Sequence, residues 1–457
     1  MVVEAPGAGA VDDVVVDGFR TVFEAVFEAV FEPPELHAPA ATRTTEANTK
    51  IRRIASTVLT ERPLPLPSRT VKYVVLVPDG CADEPVAVLD GKTPLEAAHL
   101  PHLQALAQRS EVGRAAVIPE GVPPGSDVGN LAILGYDPTV FHTGRAPIEA
   151  AAMGVELAPG EVAYRCNLVT IGADGTMVDF AAGHLSSEQS HPIIAALDAE
   201  LGGGRDGVRF YPGVEYRHLL VVPGEWAEAD CVPPHDLTGR PAVWPTGAAA
   251  PRLQALMDAS RAIVTRVAAD VGATATQVWF WGQGTRPQLP DFSNRYGVSG
   301  RLTSAVDLVR GLGVLAGIEV LDVPGATAGF DNDYVAQRMA CIDSLGDRDF
   351  FLLHVEATDE AGHQQDAAEK VAALEAWDRD IIGPLLDALP AFGPFRILLL
   401  PDHATPVELG THTSDSVPYL LHDSETMVTG RDYTEPATAE CQAVAAHTLL
   451  GRMVSSG

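Results

Sequence analysis

The chain has 457 residues, with 31 Lys and Arg against 61 Asp and Glu, a formal net charge of −30, 46% hydrophobic and 20% charged residues, and a mean hydropathy of +0.09. That length allows two or three domains with ample core, and that composition excludes a mostly disordered chain. A field of this sign repels nucleic-acid phosphates and anionic membranes, and it attracts divalent cations.

Lys50, Lys72, Lys92 and Lys370 are the only lysines. The other cations are guanidiniums, which GC-rich coding produces by itself and which also clamp anions bidentately. Cys81, Cys166, Cys231, Cys341 and Cys441 are scattered without a CxxC, which reads as reduced thiols in a cytosol rather than a disulfide framework or zinc site. No apolar run reaches the roughly 18 residues of a spanning helix, and the N-terminus lacks the basic and apolar regions of a secretory signal. The expected location is cytoplasmic.

In chain order, Phe19, Phe23, Phe27 and Phe31 stand four apart beside Val22, Val26 and Val30. This predicts an amphipathic helix of about four turns, ended by Pro33 and Pro34. Its Phe stripe would pack on its own body or on a sister subunit, so a homo-oligomer through this helix is one expectation. Residues 35–70 read as an extended Pro-, Thr- and Ala-rich arm.

At Val71 the texture changes. VKYVVLVPDG reads as a buried parallel strand cut off by a Pro-Asp-Gly turn carrying Asp79, although an Asp there is first of all a turn former. After a helical LEAAHLPHLQALAQ comes EGVPPGSDVGNLAIL. Here Ser126 reads either as an ordinary N-cap or as a hydroxyl placed beside the free N–H groups of a helix start, a good phosphate site. Residues 146–279 contain strand-like pieces such as YRCNLVTI and TQVWFW and read as an inserted second domain.

The runs FFLLHVEATDEAGH and FRILLLPDHATPVELGTHT each join a strand to acids and histidines. Asp359 and His363 stand at i and i+4, so a helix begun after Thr358 would present both from one face. Asp402 and His403 are adjacent just past a strand, where they can address two ions a few ångström apart, and His412 follows nine residues later. Strands alternating with helices imply an α/β sheet whose ligands gather at the strands' carboxyl ends. Mixed oxygen and imidazole donors favour Mn²⁺ or Zn²⁺ over Ca²⁺, two such ions suit in-line displacement at phosphorus, and Ser126 is the candidate nucleophile.

The blocks VPDG, PPGSDVGNLAILGYDP, TGRAPIEAAAMGVEL, MVDFAAGHLSSEQ, FYPGVEYRHLLVV, PPHDLTGRP, WFWGQG, HVEATDEAGH and LLLPDHATP occur in that order. Together they closely resemble the archaeal-type, cofactor-independent phosphoglycerate mutases of the alkaline phosphatase superfamily, over about residues 71–450. The resemblance implies an α/β phosphatase-like sheet sandwiched by helices, built from residues 71–145 and 280–457. A smaller α/β (α+β) substrate domain, 146–279, would be inserted in it, and 1–70 would be an extension.

It also implies interconversion of 3-phosphoglycerate and 2-phosphoglycerate through a phosphoserine on Ser126. Asp79, Ser126, Asp402 and His403 would hold one metal ion, and Asp359, His363 and His412 the other. Mn²⁺ is the expected ion, with Zn²⁺, Co²⁺ or Mg²⁺ as alternatives, and no 2,3-bisphosphoglycerate is required. An anionic substrate on a −30 chain needs local cations; Arg145, Arg165, Arg217 and Arg240 are the implied clamps, with His184 as a polar or proton-transfer partner. Nucleic acid and membrane are not expected partners.

Two features depart from the family pattern. Gly129 stands where Ala is expected, a change that should only loosen the helix slightly. RVAADVGATATQV precedes WFWGQG where a basic, Asn-containing segment is expected. A pocket altered there would suit a paralogue moving a phosphonate or nucleotide-activated phosphonate onto a glycerate hydroxyl, and a metal-dependent phosphatase or phosphodiesterase is the remaining alternative.

Overall fold

A computed structural model describes residues 70–455; the predicted Phe-rich helix and the arm lie outside them. Strands β1 (Lys72–Pro78), β2 (Glu111–Ala116), β3 (Glu161–Ile171), β4 (Met177–Asp179), β5 (Arg209–Tyr211), β6 (Arg217–Pro223), β7 (Gln277–Gly284), β8 (Gly300–Thr303), β9 (Glu319–Val320), β10 (Phe350–Val355), β11 (Phe395–Leu399), β12 (Val417–Asp423) and β13 (Val444–Ala445) form two sheets. The larger has eight strands in the order β13-β2-β12-β11-β1-β10-β8-β9. Its centre is parallel: β1 pairs with β10 on one side and β11 on the other, Pro78 facing Val355 and Leu76 facing Leu399.

Alternation explains why these strands are apolar throughout. In β1, Tyr73, Val75 and Val77 enter one core while Val74 and Leu76 enter the other, so both faces are covered, as a parallel sheet requires. One face packs α1 (Ser126–Ile133), through Val128, Leu131 and Ile133. The other packs the helical stretch between β10 and β11, through Leu374, Trp377 and Ile381. The mixed α/β architecture with helices on both faces of the central sheet is the one the sequence implied.

The smaller sheet is antiparallel, ordered β4-β3-β6-β5, with β7 also on β3. On one side α2 (Ala146–Ala152) places Ala146 and Ala150 against Ala163, Leu219 and Val221. On the other, α3 (Ser187–Leu201) and α4 (Ala250–Val271) bury Ile193, Leu197, Leu253 and Val264 against Val162, Tyr164 and Phe280. β7 runs across position 280 and pairs along its length with β3. Among the described residues no helix is long and apolar enough to cross a membrane, and the cysteines are free, with Cys81, Cys166 and Cys341 buried.

His218 on β6 is 2% exposed and accepts a 3.0 Å hydrogen bond from the Gly213 N–H. Burial, reinforced by His191, drives its pKa down to about 3. An unfolded chain takes up this proton near pH 6.5 and the native state refuses it, so stability falls as pH drops from about 6.5 toward 3. His218→Asn keeps an acceptor for Gly213 but cannot titrate; chemical denaturation across that range should show a flatter loss than in the parent.

Candidate active site

Three adjacent strand ends deliver the acids. Asp79 follows β1, held by its N–H to Val355 O at 2.9 Å, and is completely buried. The next residue, Gly80, has φ +57°; a Cβ there would lie 2.4 Å from Asp359 Oδ1 and 2.5 Å from Thr405 Oγ1. The turn therefore needs glycine for both its conformation and its space. Gly80 N–H donates to Asp402 Oδ1 at 3.2 Å, which ties the β1 turn to the β11 turn.

After β10 the chain turns directly into the short helix Ala357–His363. As the spacing predicts, Asp359 and His363 share a face, Nε2 3.2 Å from Oδ2. After β11, His403 Nε2 stands 3.5 Å from both Asp79 Oδ1 and Asp402 Oδ2. Its ring also stacks on His412 at 3.8 Å. His412 Nε2 lies 2.9 Å from His363 Nε2 and 3.5 Å from Asp359 Oδ1.

All seven residues singled out for metal thus converge, Ser126 included. Two donor triads with metal-binding geometry stand out: Asp359, His403 and His412, and Asp79, His354 and Asp402. His403 belongs to the first by geometry while remaining in reach of the second. His354, in the apolar run of β10, did not stand out in the sequence; its Nε2 is 2.9 Å from Asp79 Oδ2 and its Nδ1 3.1 Å from Ser304 Oγ.

Ser126 opens α1 one residue inside its N-cap, Gly125, so its hydroxyl is not spent on capping. Oγ points instead to His403 Nε2 at 3.2 Å. One turn on, Asn130 donates to Ser126 O at 3.0 Å and to Asp402 Oδ2 at 2.7 Å. Gly129 is more than a loosening of this helix: a Cβ would lie 2.0 Å from the Asp402 carbonyl oxygen, so α1 rests directly on the ligand-bearing backbone.

The electrostatics call for positive charge. Burial, then Asp402, Glu356 and Asp359, push the Asp79 carboxyl well above its ordinary value. Burial and Asp359 push Glu356 up to about 8. Both Asp79 oxygens, Glu356 Oε2 and His354 Nε2 are buried without a well-aligned hydrogen bond, since His354 Nε2 approaches Asp79 Oδ2 at 2.9 Å as an ion-pair contact only; a bound cation removes that cost. Burial opposes the ionisation of Asp359, but hydrogen bonds from His363 and His412 override it and hold that carboxyl well below the usual range. Its bond to Asp359 in turn lifts His363 to about 9, while burial lowers His403 and takes His354 down to about 4.

The smaller sheet supplies guanidiniums and rings. Glu149 on α2 bridges two arginines: Oε1 is 3.2 Å from Arg145 Nε and Oε2 2.9 Å from Arg165 Nε. Both guanidiniums lie over Trp281, at 5.8 and 4.3 Å. His235 packs edge-on to Trp281 and Phe180, and Phe180 meets His184 and Tyr216, over which Arg217 lies at 5.2 Å. Burial, opposed by Asp236 and aided by Arg165, Arg145 and His363, lowers His235, so this patch and the acid cluster feel one another's charge. Arg145 is likewise held charged by Glu149, Asp127 and Glu356 against its burial.

Arg217 and His184 are exposed, His184 at φ +52°. Arg240 is exposed as well, and no ring or ion-pair contact joins it to this patch. The unusual segment before β7 ends in a loop whose Thr274 Oγ1 donates to Ala182 O at 2.9 Å, bracing the turn that carries His184. Glu149 and His235 were not legible as site residues.

Fold and site define an α/β protein that groups carboxylates and imidazoles around a serine hydroxyl at the carboxyl edge of a parallel sheet. A family model described as 2,3-bisphosphoglycerate-independent phosphoglycerate mutase matches residues 107–268. The probable 2,3-bisphosphoglycerate-independent phosphoglycerate mutase of Geobacter sulfurreducens is 44% identical over 371 residues, covering 78% of this chain and 92% of the relative. The Methanosarcina acetivorans 2,3-bisphosphoglycerate-independent phosphoglycerate mutase is 43% identical over 365 residues, covering 78% and 91%. Among solved structures, a Pyrococcus horikoshii protein superposes with a TM-score of 0.70 at 25% identity, over 84% of this chain and 96% of that one. The chain belongs to the 2,3-bisphosphoglycerate-independent phosphoglycerate mutase family.

Gly129→Ala tests the contact between α1 and Asp402. Forcing a methyl into that backbone should cost about 1–3 kcal/mol, read by denaturant unfolding, and lower turnover as well. Parental stability would show that the two backbones are not in contact.

Proposed function

We propose that this chain is a divalent-metal-dependent phosphoglycerate mutase that interconverts 3-phosphoglycerate and 2-phosphoglycerate through a phosphoserine on Ser126, without 2,3-bisphosphoglycerate. The observation that carries this reading is the Ser126 hydroxyl at the start of α1, 3.2 Å from His403, where the two donor triads meet. The Asp79 oxygens and His354 Nε2, buried without a well-aligned hydrogen bond, fit divalent ions. Asp79, Ser126 and Asp402 would hold one, with His354 and His403 in reach, and Asp359, His363 and His412 the other. When bound, such ions neutralise phosphoryl oxygens and lower the pKa of a nearby hydroxyl. Mn²⁺ suits this mixed donor set best, with Zn²⁺, Co²⁺ and Mg²⁺ as alternatives.

The remaining chemistry belongs to the chain. Residues 71–145 and 280–457 act as the phosphatase-like domain and 146–279 as the substrate domain. Ser126 Oγ, its proton already given up to solvent, attacks phosphorus as the bond to the 3-oxygen of the substrate breaks, and it is released again as the alkoxide at the end of the cycle. The free N–H groups of α1 steady the transferred phosphoryl group. His184 gives the departing oxygen its proton. Arg145 and Arg165, aimed by Glu149, hold the glycerate with Arg217 while it turns. Its 2-hydroxyl then attacks the phosphoserine, returning a proton to His184, and Ser126 is regenerated. Arg240 is the fourth proposed clamp. Water must be kept out meanwhile, since it would hydrolyse the phosphoserine, and closure of the smaller domain provides that exclusion. A small anionic metabolite is the partner, and the cytoplasm the proposed location.

An enolase-coupled assay with 3-phosphoglycerate and Mn²⁺ is the direct test. Turnover should appear, vanish on chelation and return with Mn²⁺; no turnover from pure, metal-loaded protein would refute the assignment, and free phosphate released as fast as substrate disappears would make it a hydrolase. Ser126→Ala should lower turnover by about three orders of magnitude or more while the circular dichroism spectrum stays parental. Retained turnover would rule out the phosphoserine.

A further inference from the structure

One wholly buried pair of charges near the site belongs to neither donor triad. Lys370 lies in α5, here the helix Ala367–Trp377, and its side chain and that of Asp83 are both wholly buried, Nζ 2.7 Å from Oδ2. Its ammonium also donates to Thr405 O at 2.8 Å and Ala82 O at 3.4 Å, so all three protons are used. Asp83 in turn accepts from Val407 N–H at 3.2 Å and Glu84 N–H at 2.9 Å. One ion pair therefore grips both ligand-bearing turns, the one after β1 that carries Asp79 and the one after β11 that carries Asp402 and His403.

Thr405 relays this grip into the site. Its carbonyl is held by Lys370, while its hydroxyl donates to Asp359 Oδ1 at 2.5 Å and lies 3.2 Å from His403 Nδ1. Two of the three residues of one donor triad, Asp359 and His403, thus share one hydrogen-bond partner outside it. Stability alone does not account for such a pair, because buried ion pairs replaced by apolar groups are commonly neutral or stabilising changes.

We propose that Lys370 and Asp83 are positioning residues for the divalent-ion site, setting the spacing between the β1 and β11 turns and, through Thr405, the orientation of Asp359 and His403. This rests on reading the acid and imidazole clusters as that site. Groups behind metal ligands commonly change affinity by about 10–100-fold.

The test is Mn²⁺ titration calorimetry on the full chain, with thermal unfolding alongside. Lys370→Met combined with Asp83→Asn removes both charges and leaves an acceptor for Val407 N–H. That double variant should unfold cooperatively near the parental temperature, bind Mn²⁺ at least about tenfold more weakly, and lose kcat with little change in KM. Thr405→Val, which keeps the carbonyl but removes the hydroxyl, should weaken Mn²⁺ in the same direction and serves if the double variant does not fold. Parental Mn²⁺ affinity in a folded double variant, or in Thr405→Val, overturns the proposal. A parental protein that binds no Mn²⁺ overturns the metal reading itself and this proposal with it.

Discussion

Four carboxylates, those of Asp79, Glu356, Asp359 and Asp402, meet at the ends of three neighbouring parallel strands, the three aspartates with almost no access to water. Such a gathering cannot ionise fully by itself, since each charge raises the cost of the next in a low dielectric. The rest of the site answers this problem. His363 and His412 compensate Asp359, amide hydrogens from Gly80 and Asn130 serve Asp402, and Asp79 has only the nearby His354 and His403 rings and no hydrogen bond. The parallel sheet makes the arrangement possible because β11, β1 and β10 end side by side, so turns far apart in sequence open at one place.

A second balance operates on the substrate side. The field of the whole chain is strongly negative, yet Arg145 and Arg165 sit against Trp281 with Glu149 between them. Glu149 accepts a hydrogen bond from Arg145 Nε and stands as an ion-pair partner 2.9 Å from Arg165 Nε, while burial confines Arg165. The aromatic chain from Trp281 through His235 and Phe180 to Tyr216 gives this cationic corner stiff walls. Focused positive charge inside a repelling shell favours a small, compact anion over a polyanion.

Much of this was legible in the sequence, for a definite reason. Apolar strands stopping at Asp79, at Asp359 with His363, and at Asp402 with His403 carry both the fold and its function in local patterns, and the helical spacing of Asp359 and His363 survives in the structure. What escaped notice depends on partners remote in the chain. His354 is one polar residue in an otherwise apolar strand, and only β1 beside it reveals that it faces Asp79. Asn130 lies in an apolar helix and becomes meaningful through Asp402. Glu149 resembles any helical partner of Arg145 until β3 brings Arg165 to its other oxygen. Gly129 looked like a mild weakening of a helix; its significance is a close approach that no helical scale contains.

That approach has a mechanical consequence. With no Cβ at 129, main chain rests on main chain, and Asn130 fastens Ser126 O to Asp402 beside the contact. The serine and the acid beside it therefore belong to one stiff unit. As the sheet flexes with temperature, the two are carried together and their separation is preserved. The main chain that carries Ser126 keeps its place through backbone contact, with the Asn130 side chain as an added fastening.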